Sequence, residues 1–316
     1  MSMKELFVSP ADGGIAAALD SISGTDAYTI TLAAGTYAEI LSYNKPNPLR
    51  IQAAPSVKAE DCRIAAENCE AFHKDTENRA VLVFGMDCTR VEFAGFTIEN
   101  THVKTLPSEA LGNQAEALCW HNRTGFLHAQ NMRFISRQDT IHVKGYSRFS
   151  DCYISGDVDY IWGYCHTCLL EHCTVHTRAD NRGDFDAYVL QSRALRGAPG
   201  FIFRHCEFTA EKRESAQIYI GRSAGTGTAS SADRWDSIAL IDCIVSHDYN
   251  PALYTDEGKC TVFPKGCADY GWREYGTKVR RADRSLVPAD TSARYPANYV
   301  MTEEESARLC AKTDIK

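Results

Sequence analysis

A short strand, a corner and a second short strand recur along the middle of this chain, and no other feature restricts the fold as much. The unit is read at Val91–Ile98, Phe126–Phe134, Ser147–Ile154, Cys168–Val175, Gly200–Phe208 and Ile238–Val245. Its corners are marked by Gly95, Asn131, Cys152, Cys173, Cys206 and Cys243, and two of the spacings are 21 residues. A unit that short buries no apolar face alone, so successive units must stack. Stacked turns of this kind form an all-β fold, a single-stranded right-handed parallel β-helix. The longer intervals are loops leaving the coil, expected at Thr101–Asn113, Thr177–Asp186 and Ser223–Trp235. Loops are where such a coil builds a binding groove.

The 13 cysteines in 316 residues fit this picture. They are too sparse for a disulfide framework and read as small buried hydrophobes that fill narrow corners. Cys165-His166-Thr167-Cys168, followed by His172 and Cys173, has metal-ligand spacing, but Cys168 and Cys173 lie inside the repeating unit. The core reading is preferred there, and neither a metal nor an organic cofactor is expected. A net charge of −7 argues against a nucleic-acid or anionic-membrane partner. No run approaches the roughly 18 apolar residues of a membrane span. Met1–Pro10 lacks an apolar run followed by a cleavage site, so the expected location is cytoplasmic, or secreted if a leader has been removed. Helical pattern is confined to the ends. Ile15–Ile22 lies in an N-terminal cap of residues 1–30, and Thr302–Leu309 starts with a capping box of Thr302 and Glu305. Tyr270–Arg294 reads as loop, within a C-terminal loop and helix covering 270–316. One domain spanning residues 1–316, acting as a monomer, is the expectation.

Polar groups gather in the middle turns. In Gln114-Ala-Glu-Ala-Leu118, strand alternation puts Gln114 and Glu116 on one face. Asp139 and Asp159 are 20 residues apart, close to one turn, which places their carboxylates on adjacent rungs about 4.8 Å apart. Two carboxylates that close do not both ionise freely, so the pKa of one is expected to rise, giving an acid beside a nucleophile or base. Arg222 is the candidate to keep the other ionised. Gln114 and Gln138 supply amides able to donate to an oxyanion.

With these residues in place, the chain resembles the pectin methylesterases, carbohydrate esterases on a right-handed parallel β-helix. The likeness runs through Gly35-Thr-Tyr-Ala-Glu39 (family G-x-Y-x-E), Gly95-Phe-Thr-Ile-Glu-Asn-Thr101 (G-x-x-I-x-N-T) and Gln114-Ala-Glu-Ala-Leu118 (Q-A-V-A-L). It is most specific at Gln138-Asp-Thr140 and at Gly156-Asp-Val-Asp-Tyr-Ile-Trp-Gly163 (G-T-V-D-F-I-F-G), and Ile220-Gly-Arg222 stands at the family's L-G-R. The resemblance implies that Asp159 attacks the carbonyl carbon of a methyl-esterified galacturonate and that Asp139 serves as acid and then base. It also implies that Gln114 and Gln138 stabilise the oxyanion and that Arg222 orients Asp159. The implied partner is pectin or a methylated oligogalacturonide, with no cofactor. Tyr160, Trp162 and Trp272 are candidates for sugar stacking.

Three departures set this chain apart. The family's Trp two positions after the Arg is absent from Gly221-Arg-Ser-Ala224, and Trp235 is the candidate replacement. Glu116 stands for Val and Asp157 for Thr. Two extra acids at a groove would repel free carboxylates, so the expectation is a preference for heavily methylated or short substrates, or for a different ester. The competing readings are a β-helix carbohydrate-binding protein whose chemistry has lapsed, and a polygalacturonase or pectate lyase, whose carboxylate sets are less completely assembled here.

Overall fold

The computed structural model describes residues 3–11, 14–76, 78–105, 113–223, 234–256 and 266–314. The chain is a right-handed parallel β-helix. Among the described residues, one ladder has 10 strands, and a second ladder of 17 strands covers the remaining sides. The long strands Ile141–Ser150 and Val158–Glu171 pass through both sides of the larger ladder. They bend at bulges, one between Gly145 and Tyr146 and one between Val158 and Ile161. Gly145 is required at the first: its φ is +59°, and a Cβ there would lie 2.6 Å from the Asn122 carbonyl oxygen.

Turn-to-turn register is regular. Phe126 pairs with Tyr146, Tyr146 with Thr167, and Thr167 with Gly200. The corner expected from the sequence is present, shifted by one residue in its cysteine members. Gly95, Asn131, Asp151, His172, His205, Asp242 and Gly276 all have φ between +50° and +77° and make the bend. Asn, Asp and His are the non-glycine residues that enter this left-handed region at least cost. Gly95 and Asn131 therefore belong to the bend itself. Cys152, Cys173, Cys206 and Cys243 sit one residue later, aligned with Phe96 and Met132, and all six side chains are buried. Each of these thiols donates back to the preceding turn, for example Cys206 Sγ to Leu170 O at 3.3 Å and Cys243 Sγ to Phe203 O at 3.3 Å. Cys165 and Cys168 are likewise enclosed in the core.

One hydrophobic cluster runs from Val8 through every turn to Trp272. Helix α1 (Gly14–Ser21) buries Ile15 and Leu19 at one end. Helix α2 (Glu303–Thr313) carries the expected capping box of Thr302 and Glu305 and buries Leu309 at the other. Neither helix is long or apolar enough to cross a membrane. The stretch read as loop over Tyr270–Arg294 contains the strands Gly271–Tyr275, Lys278–Arg280 and Leu286–Pro288. Its polarity misled because Arg273 and Glu274 are buried, with Glu274 held by Arg294 at 2.8 Å. Thr177–Asp186 does leave the coil after the strand Thr174–Thr177, whereas much of the other two expected loops, residues 106–112 and 224–233, lies outside the described residues.

Candidate active site

Asp139 and Asp159 occupy matching places on adjacent turns. Gln138 bridges Val158 in parallel register, and the Asp139 amide donates to Val158 O at 3.1 Å. Both aspartates have left-handed backbone, φ +64° and +47°. Asp159 lies within the bulge between Val158 and Ile161, and bulges re-aim side chains beside active sites. The two carboxylates open into a cleft of about 910 Å³ on the outer face of the larger ladder.

Five of the predicted residues meet there together: Gln114, Gln138, Asp139, Asp159 and Arg222 all line this cleft. Arg222 Nη2 donates to Asp159 Oδ2, and its guanidinium lies 4.3 Å from the Tyr188 ring centroid. Gln191 Nε2 adds a second donor to the same oxygen at 3.3 Å. Asp139 is pushed well above the usual carboxylate range, first by burial and then by the charges of Glu116 and Asp159; Arg79 and Arg193 oppose the shift. On adjacent rungs, then, one carboxyl is raised by burial and neighbouring charge and the other is ion-paired with Arg222.

The aromatic candidates separate. Trp162 lines the cleft, stacked on His142 at 3.9 Å between ring centroids. Tyr160 does not: it is fully enclosed in the coil, its hydroxyl 3.0 Å from Thr177 Oγ1. Trp272 is also a core residue, stacked on Tyr254 at 4.9 Å. Trp235 pairs with Ala194 in a short antiparallel ladder and contacts Tyr270 edge-on. Among the described residues it is not part of the cleft wall, and Ala224, at the end of the altered Gly221–Ala224 run, lies outside them.

The two extra acids are corrected as well. Glu116 is fully buried and held by Arg79, whose Nε and Nη2 reach its carboxylate at 2.7–3.0 Å. Asp157 is buried against Lys104 Nζ at 3.0 Å. Neither lines the cleft, so neither presents a repelling charge to a substrate. The described lining instead carries Arg79, Arg123, Lys144, Arg193 and Arg222 against two carboxylates. Sequence reasoning missed Gln191 and Arg193, although both are outward positions of the strand Ala187–Ser192 and its continuation, and alternation would have found them. Arg193 is set by Gln191 Oε1 at 2.6 Å and Tyr164 Oη at 2.8 Å.

Cys119, His121 and His142 offer metal-ligand atoms within 4.8 Å of one another on two neighbouring turns. Their surroundings are cationic, with Lys144 Nζ 2.9 Å from His121 Nδ1. Burial and the Lys144 charge hold His121 down to about 4, and burial with His121, Lys144, Arg79 and Arg193 holds His142 well below its ordinary value. A divalent cation is opposed by the same charges, so the cluster is read as neutral, and of its three residues only His142 lines the cleft.

Comparison with known proteins adds the family. A sequence model of the Pectinesterase family matches residues 14–224. The chain is 33% identical over 144 residues to pectinesterase 31 of Arabidopsis thaliana, covering 45% of this chain and 42% of that protein. It spans less than half the length of this protein and of two further pectinesterase relatives from the same plant. Among solved structures, the pectin methylesterase from carrot superposes with a TM-score of 0.73 at 19% identity, covering 95% of this chain and 89% of that one. A pectin methylesterase in complex with a hexasaccharide superposes with a TM-score of 0.69 at 18% identity, over 98% of this chain and 96% of that one.

Proposed function

This chain belongs to the pectinesterase family, and on that premise we propose that it is a carboxylic ester hydrolase that removes methyl groups from pectin or methylated oligogalacturonides. The observation that carries the reading is the register of Asp139 and Asp159 on adjacent turns, with Arg222 and Gln191 on Asp159 and two glutamine amides in the same cleft.

The reaction follows from those roles. Asp159, kept as carboxylate by Arg222, adds to the ester carbonyl carbon, and the carbonyl oxygen becomes an oxyanion that the Gln114 and Gln138 amides receive. The intermediate collapses by breaking its bond to the methoxy oxygen. Asp139, protonated at that stage by its buried setting, gives its proton to the departing methoxide, which leaves as methanol. An acyl–aspartyl anhydride remains. Water then adds to the galacturonyl carbon while Asp139 takes up its proton, and cleavage of the anhydride returns Asp159 as carboxylate with free galacturonic acid.

The excess of cations in the cleft favours a polyanionic chain as substrate. A hexasaccharide bound to a similar pectin methylesterase agrees with a groove that takes several sugar units. Trp162 is the aromatic candidate for the sugar face, with Arg193 5.2 Å from its ring centroid. The test is release of methanol and acid from methylated pectin. One methanol per new carboxylate is expected, and release of neither overturns the proposal.

A further inference from the structure

Glu116 and Arg79 form a unit that the reaction scheme above leaves unused. Glu116 stands where the family motif has valine, and its side chain is fully enclosed. Arg79 is 6% exposed and wraps that carboxylate with three hydrogen bonds of 2.7–3.0 Å. Its remaining edge reaches the reacting groups: Nη1 lies 3.4 Å from Gln114 Oε1, and Nη2 lies 3.4 Å from Asp139 Oδ2. Glu70 Oε1 stands 3.7 Å from Nη1 on the outer side.

Resting on the esterase reading, we propose that Arg79, anchored by Glu116, is a positioning residue that fixes the Gln114 amide and the Asp139 carboxyl for ester hydrolysis. The chemistry of the donors dictates the first part. A guanidinium only donates, so the Gln114 edge facing it must be the carbonyl oxygen, which puts the amide NH₂ on the opposite edge. Gln114 lines the cleft, and an NH₂ is the group an oxyanion needs. Without Arg79, the amide loses a contact that distinguishes its two ends. For the second part, Arg79 holds one oxygen of Asp139, while Glu116 absorbs most of its charge.

A purely structural explanation is weak on energetic grounds. Replacing a buried ion pair by apolar side chains of similar volume is often neutral or stabilising, so valine at position 116 with an apolar partner would serve packing as well. What valine does not supply is a fixed donor fork beside Gln114 and Asp139.

The charged groups facing Asp139 are Arg79, Glu116, Asp159 and Arg193. Arg79 lowers its proton affinity and Glu116 raises it, so the single and double replacements separate positioning from bulk stability. Glu116→Gln leaves the Arg79 charge directed at Asp139, and Asp139 should titrate at lower pH, carrying the alkaline limb of the rate profile with it. In Arg79→Met/Glu116→Val both terms vanish, the core stays filled, and kcat should fall about ten-fold or more with KM changed less than about three-fold, as for a misplaced oxyanion donor. Asp139 is followed independently by ¹³C NMR of labelled aspartate carboxyls, assigned with Asp139→Asn. The inference is overturned if the double variant keeps wild-type kcat, or if Asp139 titrates in Glu116→Gln as it does in the wild type. The NMR arm decides even if pectin is not hydrolysed, an outcome that would instead overturn the esterase reading.

Discussion

Asp157→Thr, which installs the residue of the family motif, tests whether the extra acids are scaffold or substrate contacts. Lys104 and Asp157 are each 1% exposed in their side chains and meet at 3.0 Å. Removing the carboxylate leaves Lys104 enclosed. Among the described residues its nearest other anion is Asp180, 4.0 Å away and already paired with Arg182. Arg137, 4.0 Å from the second Asp157 oxygen, loses part of its compensation too. Breaking one side of a buried pair costs about 3–5 kcal/mol. An unfolding entropy of about 2.1 cal/mol/K per residue over 316 residues amounts to roughly 0.66 kcal/mol/K, so Tm should fall by about 5–8 °C. Differential scanning calorimetry reads this directly. Lys104→Met/Asp157→Val removes both charges and should recover most of the loss. A single variant within about 1 °C of wild type would refute the argument. So would a double variant as unstable as the single one, because the loss would then come from packing.

Other outcomes follow from the cleft. Arg222→Lys keeps a positive charge but loses the guanidinium contact with Asp159. Charge-assisted hydrogen bonds contribute about 1.5–3 kcal/mol, so kcat should fall roughly 10- to 150-fold in steady-state assays. Asp139 has a raised pKa in the folded chain, and the proposed scheme requires it protonated to release methanol. Activity should therefore hold on the acid side of that pKa and decline as pH rises through it, and Asp139's contribution to stability, present below its unfolded pKa, should be lost over the same rise. Because five cations line the cleft, unesterified oligogalacturonate should bind, and raising salt from 0.1 M to 1 M, which shortens screening from about 10 Å to about 3 Å, should weaken it several-fold by calorimetry. Salt-independent binding would contradict an electrostatic groove.

The coil and its paired aspartates were legible because both are consequences of one period. A turn of about 20 residues stacks residue on residue, so a 20-residue spacing reads directly as proximity between Asp139 and Asp159. The corner was misaligned by one residue because the bend is made by Gly, Asn, Asp or His, a varied set, while the cysteine after it is conspicuous. Adjacency misled at Tyr160. Being next to Asp159 in sequence is not being next to it in the cleft, and the left-handed Asp159 sends Tyr160 and Ile161 both inward before Trp162 turns out. Arg79 carried no signal at all. It lies 60 residues before Asp139, on a stretch outside the clear repeats, and only folding brings its charge to Glu116. Buried charges of this kind are invisible to alternation, which assigned Glu116 to the groove on its face alone.

The central claim is that Asp159 is the nucleophile. It is tested most directly by methanol release from methylated pectin by the wild type and by Asp159→Asn, with binding of unesterified oligogalacturonate measured on both. Wild-type release, a loss of at least about 10³-fold in the variant and retained binding are the predicted result. Methanol release by the variant at a rate near that of the wild type would contradict it.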